Sequence, residues 1–203
     1  MLASIAPDMA VEWSQPIGQC HDLFVLPNGN ILTQDGWAHV VEYSADRSSI
    51  VWEWDAKADD PEREVEIHAF QRLEDGATMV IETSSEGYDC RLLEIEGGSV
   101  RLEFPLVTNE PNTHADTRNA SKTAAGTYLV AHENDGAIRE YDASGAVVWE
   151  FPVPLFGKEP EQGLDGHGPT AFGNKAYSAV RLSDGNTLIV RALHILFHLP
   201  EPR

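Results

Sequence analysis

Three histidines, His21, His68 and His114, stand 47 and 46 residues apart, and Tyr177 heads a related segment further on. Four residues beyond each come Val25, Arg72, Arg118 and Arg181, so three of the ten arginines recur at one place in a chain of net charge −19. On an extended strand, residues four apart share a side. If neighbouring strands keep one register, a tier of imidazoles and a tier of guanidiniums face a common centre. Two chemistries follow. Three neutral imidazoles from His21, His68 and His114 can hold Zn²⁺ or another divalent ion and keep one position open for water. Alternatively, histidine and arginine together suit an anion such as sulfate or phosphate. Arg72, Arg118 and Arg181 then supply fork-shaped hydrogen bonds, and His114 or His68 serves as acid, base or nucleophile. A third reading assigns no chemistry: the histidines hydrogen-bond a neighbouring sheet, and the arginines pair with carboxylates such as Glu74, Asp116 or Asp184.

The elements that must position these residues are written into a repeat. His21-Asp22-Leu23-Phe24-Val25-Leu26-Pro27-Asn28-Gly29-Asn30-Ile31-Leu32 returns as His68 to Met79, with Asp75-Gly76 at the turn, and again as Tyr177 to Leu188, with Asp184-Gly185. A degenerate copy starts at His114 and reaches its turn at Gly126. Each copy reads as strand, tight turn, strand, because an Asn/Asp-Gly pair tolerates the positive φ of a hairpin. Val40-Val41-Glu42-Tyr43, Leu92-Leu93-Glu94-Ile95 and Ile138-Arg139-Glu140-Tyr141 read as third strands. Ile50 to Trp54, Val100 to Phe104 and Val147 to Phe151 read as fourth strands.

Four short strands in a period of 46 or 47 residues make the blade of a β-propeller. The expected fold is all-β, one propeller domain over 1–203, with blades at about 14–57, 58–107, 108–156 and 170–203. Three blades are complete and the first and last are partial. The strand at 10–13 repeats the fourth-strand text and belongs to a closing blade. The tail 192–200 fits no later part of the repeat, so truncation of a larger propeller is expected.

The first strand of a blade lines the central channel, so His21, His68, His114 and Tyr177 are expected near one mouth. The longest interruption, 152–175, lengthens one period and carries His167 between glycines, a further candidate ligand above that mouth. His132, Glu133 and Asp135 read as exposed turn residues, and Trp52, Trp54 and Trp149 as packing between blades.

Composition narrows the partners. The negative charge repels nucleic acid and anionic membrane surfaces. No apolar run reaches the ~18 to 20 residues of a membrane span. Two cysteines, Cys20 and Cys90, make no disulfide framework and are expected as reduced thiols. The N-terminus lacks the basic region and apolar core of a signal peptide, so a soluble, cytoplasmic protein is expected, or an exported one if the true N-terminus lies upstream.

Three texts carry a resemblance: the Asn28-Gly29-Asn30 type of hairpin, the Val41-Glu42-Tyr43 strand and the Val147-Val148-Trp149-Glu150-Phe151 strand. Over roughly residues 10 to 190 they resemble repeats of the arylsulfotransferase-like and PQQ-like propellers, more than WD40 repeats. The quinone enzymes carry an Ala-x-Asp-x-x-Thr-Gly text that is absent here, so no PQQ cofactor is implied. The arylsulfotransferase-like resemblance implies anion chemistry at a channel histidine supported by other histidines and arginines. The expected function is a ligand-binding or scaffold module that takes a small molecule or a protein at the channel mouth and the 152–175 loop. The alternative is an arylsulfotransferase-like or metal-assisted enzyme, a lyase or hydrolase, built on the same histidines.

Overall fold

The computed structural model describes residues 1–84, 89–109, 111–155 and 175–190, with the backbone alone for 191 and 196–199. Every element among them is a strand, and none is a helix that could cross a membrane. The chain divides into two compact units, Met1–Ile67 and His68–Arg203.

In the first unit, β1 (Leu2–Ile5) and β2 (Val11–Gln15) form an antiparallel pair. A four-stranded sheet follows in chain order: β3 (Leu23–Val25), β4 (Ile31–Gln34), β5 (His39–Tyr43) and β6 (Ile50–Asp55). Ile31, Val41 and Tyr43 form its core, with Leu2 packed against them.

The division falls inside β7 (Val65–Arg72), one continuous strand that opens the next sheet and is followed by β8 (Thr78–Ser84), β9 (Asp89–Glu96) and β10 (Ser99–Pro105). The third sheet runs β11 (Asn119–Lys122), β12 (Tyr128–His132), β13 (Ala137–Tyr141) and β14 (Val147–Pro152). The last contains β15 (Ala176–Arg181), β16 (Thr187–Arg191) and β17 (Leu196–Leu199). The tail therefore does continue the repeat, because β17 pairs antiparallel with β16 as a third strand.

The turn chemistry explains why the unit recurs. Gly29, Gly76, Gly126 and Gly185 take φ of 84°, 92°, 84° and 88°, a region that a side chain disfavours. In three of the four turns an Asn or Asp accepts the backbone N–H two residues on: Asn28 from Asn30, Asp75 from Ala77 and Asp184 from Asn186. Ala125 cannot do this, yet the third turn closes in the same way, Thr123 N donating to Thr127 O at 2.8 Å.

That turn also sets the register, and it corrects one expectation. Val25 pairs with Ile31, Lys122 with Tyr128 and Arg181 with Thr187, each closing its hairpin. Counting back from the turn glycine, Lys122 and not Arg118 is the counterpart of Arg72 and Arg181. Arg118 is the counterpart of His68 and Tyr177, and His114 lies in a turn ahead of β11 rather than at its start.

Burial follows position in the sheet. The second strands β4, β8 and β12 are buried throughout, whereas the fourth strands β6 and β14 alternate between exposed and half-buried. Strands covered on both faces are largely apolar, with buried polar groups such as Gln34 and His132 held by hydrogen bonds at their ends, and rim strands need only one apolar face. Met79, Ile81, Leu92 and Tyr128 anchor the core between the second and third sheets, each at most 1% exposed. Burial of such a side chain contributes roughly 1.5–3 kcal/mol. Leu129, Ile138, Ala176 and Ile189 fill the space between the third and fourth sheets, with Trp149 and Phe151 partly buried against them.

Candidate functional site

His68 stands in the buried run of β7 and is 2% exposed. Its Nε2 donates to the Thr113 carbonyl at 2.9 Å, and the Thr83 hydroxyl donates to the same oxygen at 2.6 Å. A carbonyl only accepts, so Nε2 carries a proton here and Nδ1 is the nitrogen left to meet an ion. Thr113 begins the turn that presents His114. Asn112 N–H donates to Asp116 Oδ1 at 2.5 Å, His114 N–H to Asn112 Oδ1 at 3.1 Å, and Asn134 N–H to the Ala115 carbonyl at 2.8 Å. The turn is thus braced on both sides, with the His114 side chain exposed at its tip. The His68 and His114 rings lie 5.9 Å apart, nearly perpendicular at 72°.

Glu66 lies two residues before His68 on β7, and period-two alternation puts both on one side of the strand. Glu66, His68 and His114 each offer one ligand atom, and these atoms all lie within 4.8 Å of one another. Two imidazole nitrogens and one carboxylate oxygen form a donor set that suits a borderline divalent ion such as Zn²⁺.

Behind the turn, Asp116 is 3% exposed. Burial pushes its carboxyl up to about 6; the Asn112 N–H opposes this, Asp135 adds to it and His68 opposes it. The neighbouring polar cluster is closed. His132 is fully buried, its Nε2 2.9 Å from the Tyr141 hydroxyl, and burial with Arg139 nearby drives its pKa down to about 3. Arg139 donates to Asp135 at 2.5 Å, to Glu150 at 2.6 Å and to the Val107 carbonyl at 2.8 Å. His132, Glu133 and Asp135, expected as exposed turn residues, are therefore wrongly placed by the sequence reading. The His132 and Glu133 residues are 0% and 2% exposed, and the Asp135 side chain is 2% exposed. His132 ends the apolar run Tyr128-Leu129-Val130-Ala131, and that continuity was the available signal.

Within the second unit the predicted arginines do not form one tier, since Lys122 and not Arg118 holds the place of Arg72 and Arg181. His21 lies in the first unit, exposed, with its ring 5.1 Å edge-to-face from Trp37 and its N–H donating to Gln34 Oε1 at 2.9 Å. Arg72 donates to the Gly76 carbonyl at 2.8 Å. Arg181 donates to Glu140 at 2.5 Å and to the Gly185 carbonyl at 3.1 Å, and lies 5.0 Å over the Trp149 ring. Lys122 makes the matching pair with Glu94 at 2.5 Å. The recurring Glu of the third strand thus takes the cation that ends the next inner strand, which is a packing role. Arg118 instead bonds the buried Glu133 through Nε, with Tyr177 5.9 Å from its guanidinium carbon. His167 and residues 156–174 of the 152–175 loop lie outside the described residues. Glu66, Thr113 and Asp116 were missed as site residues. Only for Glu66 was there a signal, its alternation with His68 in Val65-Glu66-Ile67-His68.

No family model and no curated protein matches the chain. Solved structures do. A protein of unknown function from Bacteroides caccae aligns with 92% of this chain and 60% of its own, at TM-score 0.67 and 19% identity. Virginiamycin B lyase from Staphylococcus aureus aligns over 98% and 62%, at TM-score 0.58 and 14% identity. The WD40 β-propeller domain of Doa1 aligns over 85% and 48%, at TM-score 0.55 and 11% identity. The chain spans less than two thirds of the length of each. At these identities the likeness bears on architecture alone, and with the serial four-stranded antiparallel sheets it establishes the fold of this chain as a β-propeller.

Proposed function

We propose that this propeller is a ligand-binding module that holds a divalent cation on Glu66, His68 and His114 and binds its small-molecule or protein ligand through that ion. The observation that carries the reading is the convergence of three ligand atoms within 4.8 Å on a braced frame. A metal-ligating histidine is usually oriented by a hydrogen bond from its other nitrogen, and the Thr113 carbonyl, itself held by the Thr83 hydroxyl, accepts one from His68 Nε2. Three protein ligands leave a tetrahedral ion one open position, where a ligand atom or a water binds.

A second reading is a metal-assisted enzyme on the same residues. A divalent ion held there would lower the pKa of a water in its open position toward ~7, supplying a hydroxide as base or nucleophile. The likeness to virginiamycin B lyase favours a lyase over the arylsulfotransferase-like form of this reading.

Tag-free protein, stripped with EDTA and titrated calorimetrically with Zn²⁺, tests the proposal. One equivalent is expected to bind, and His114→Ala, an exposed position, should weaken it by at least about tenfold. Thr83→Val should also weaken it, since loss of an outer partner typically costs about 10- to 100-fold in metal affinity. Unchanged affinity in His114→Ala, with the wild-type melting temperature, would overturn it. Turnover assays of the loaded protein then separate the two readings.

A further inference from the structure

We infer that Arg118 recognises an oxyanion, a carboxylate or a phosphate, on the ligand of this module. The inference rests on the reading above only in taking the inner-strand level as the binding surface. Its evidence is a different set of residues.

The first observation is position. Within the second unit, the place eight residues before the turn glycine holds His68 in the second sheet, Arg118 ahead of β11, and Tyr177 on β15. Three successive sheets thus present a metal-ligating imidazole, a guanidinium and a phenol at one level. Where the repeat carries histidine in its first two copies, the third copy carries a permanent cation.

The second observation is the way Arg118 is bonded. The other arginines of this unit with described side chains, Arg72, Arg91, Arg101, Arg139 and Arg181, each give at least one terminal nitrogen to an acceptor. Arg91 gives Nε and Nη2 to Glu82 and Nη1 to Glu103. Arg139 gives Nε to Glu150 and Nη1 to Asp135 and Val107. Arg181 gives Nη2 to Glu140 and Nη1 to Gly185. Arg118 gives only Nε, to Glu133. Its two terminal nitrogens donate to no acceptor among the described residues, although the side chain is only 12% exposed. A guanidinium has five N–H donors in a planar fork, so one end is locked and four donors remain. The locking carboxylate is itself 2% exposed, and the Tyr177 ring lies against the cation.

Such a group is pre-oriented: Glu133 holds the plane, and the open edge matches the two oxygens of a carboxylate or phosphate. The charge balance adds a condition. Glu133 neutralises Arg118, and the chain as a whole carries −19, so the fork supplies geometry more than net attraction. A cation on Glu66, His68 and His114 adds the missing positive charge, so oxyanion binding should tighten when the metal is loaded.

The test is calorimetric titration with sodium acetate and, separately, with inorganic phosphate, on EDTA-stripped and on Zn²⁺-loaded protein. Wild type is expected to bind at least one of them, more tightly when loaded. Preference for acetate identifies a carboxylate ligand, and preference for phosphate a phosphoryl one. Arg118→Gln should weaken binding in both metal states by about tenfold to a hundredfold, the worth of a hydrogen bond to a charged group. Arg118→Lys should weaken it less, since charge stays and the fork goes. Glu133→Gln should tighten it, because the guanidinium loses its compensating charge, an outcome that a purely structural ion pair would not give.

Absence of any anion response in both metal states, or wild-type affinity in Arg118→Gln, overturns the inference. If Arg118→Gln does not fold, Glu133→Gln decides, and unchanged affinity there overturns it. Arg118-dependent anion binding without Zn²⁺ binding leaves this inference standing while the metal reading falls.

Discussion

Asp116 should make the protein less stable as pH rises, and replacing it with Asn should reverse this. Its carboxyl is 3% exposed and titrates at about 6, against an ordinary value of 3.8. Burial is the main cause, with the charge of Asp135 adding to it and the Asn112 N–H and His68 opposing. The sign follows from linkage. A raised folded-state pKa means the fold favours the protonated form, so full stability is present below 3.8 and declines as pH rises through about 6. At ~1.4 kcal/mol per pH unit, the gap amounts to about 3 kcal/mol at neutral pH. Asp116→Asn keeps an oxygen to accept the Asn112 N–H and removes the buried charge. In EDTA at neutral pH it should therefore be more stable than wild type by up to about 3 kcal/mol, or about 6 to 12 °C in melting temperature for a chain of this size. The advantage should shrink steadily between pH 6 and 4. Asp142→Asn provides a control of opposite sign, because Ser144 and the Ala146 N–H lower that exposed carboxyl. Stability gained from Asp142 is lost as pH falls below 3.8, not as it rises. Thermal unfolding followed by tryptophan fluorescence across pH 3.5 to 8 is the assay. A destabilised Asp116→Asn at neutral pH, or an advantage that does not change with pH, would refute the reasoning.

Tyr141→Phe should cost about 2 kcal/mol. The hydroxyl accepts the Val107 N–H at 3.2 Å and meets His132 Nε2 at 2.9 Å, so its loss leaves the buried imidazole and a half-buried N–H under-bonded. Urea unfolding measures this, and a cost below about 0.5 kcal/mol would show that these bonds contribute little. Gly145→Ala should destabilise more than Gly97→Ala. Gly145 has φ +82° and an added Cβ would lie 2.8 Å from Phe104 Cβ, whereas Gly97, at φ +58°, faces open space. Both substitutions incur the left-handed penalty of ~1–2 kcal/mol. Only Gly145→Ala displaces a ring packed on Tyr128 and Tyr141, at 5.4 and 6.0 Å, which adds roughly 1–3 kcal/mol by overpacking. Equal melting temperatures for the two variants would count against this packing account.

The architecture was legible in the chain because its signals are local. An Asn/Asp-Gly turn at Gly29, Gly76 and Gly185 dictates a hairpin wherever it occurs, and alternation or continuity of apolar residues tells rim strands from buried ones. The third copy conceals its register because Thr123-Ala124-Ala125 lacks the Asx side chain, which leaves a histidine as a more conspicuous marker than the turn glycine. A four-residue slip then makes His114 look equivalent to His68, when Arg118 holds that place. His114 lies beside His68 because a turn braced by Asn112 and Asp116 carries it there, and not through an equivalent place in the repeat. What only the tertiary structure decided is where the charges go. Local sequence makes His132-Glu133 and Asp135 look like a wet turn. Yet Asn109 N–H and Arg139 close over Asp135, and Arg118 reaches Glu133 from the neighbouring inner strand. Burial of a polar group depends on what the fold brings over it, and Asn109 and Arg118 stand 26 and 15 residues from the carboxylates they meet, beyond the reach of a local pattern.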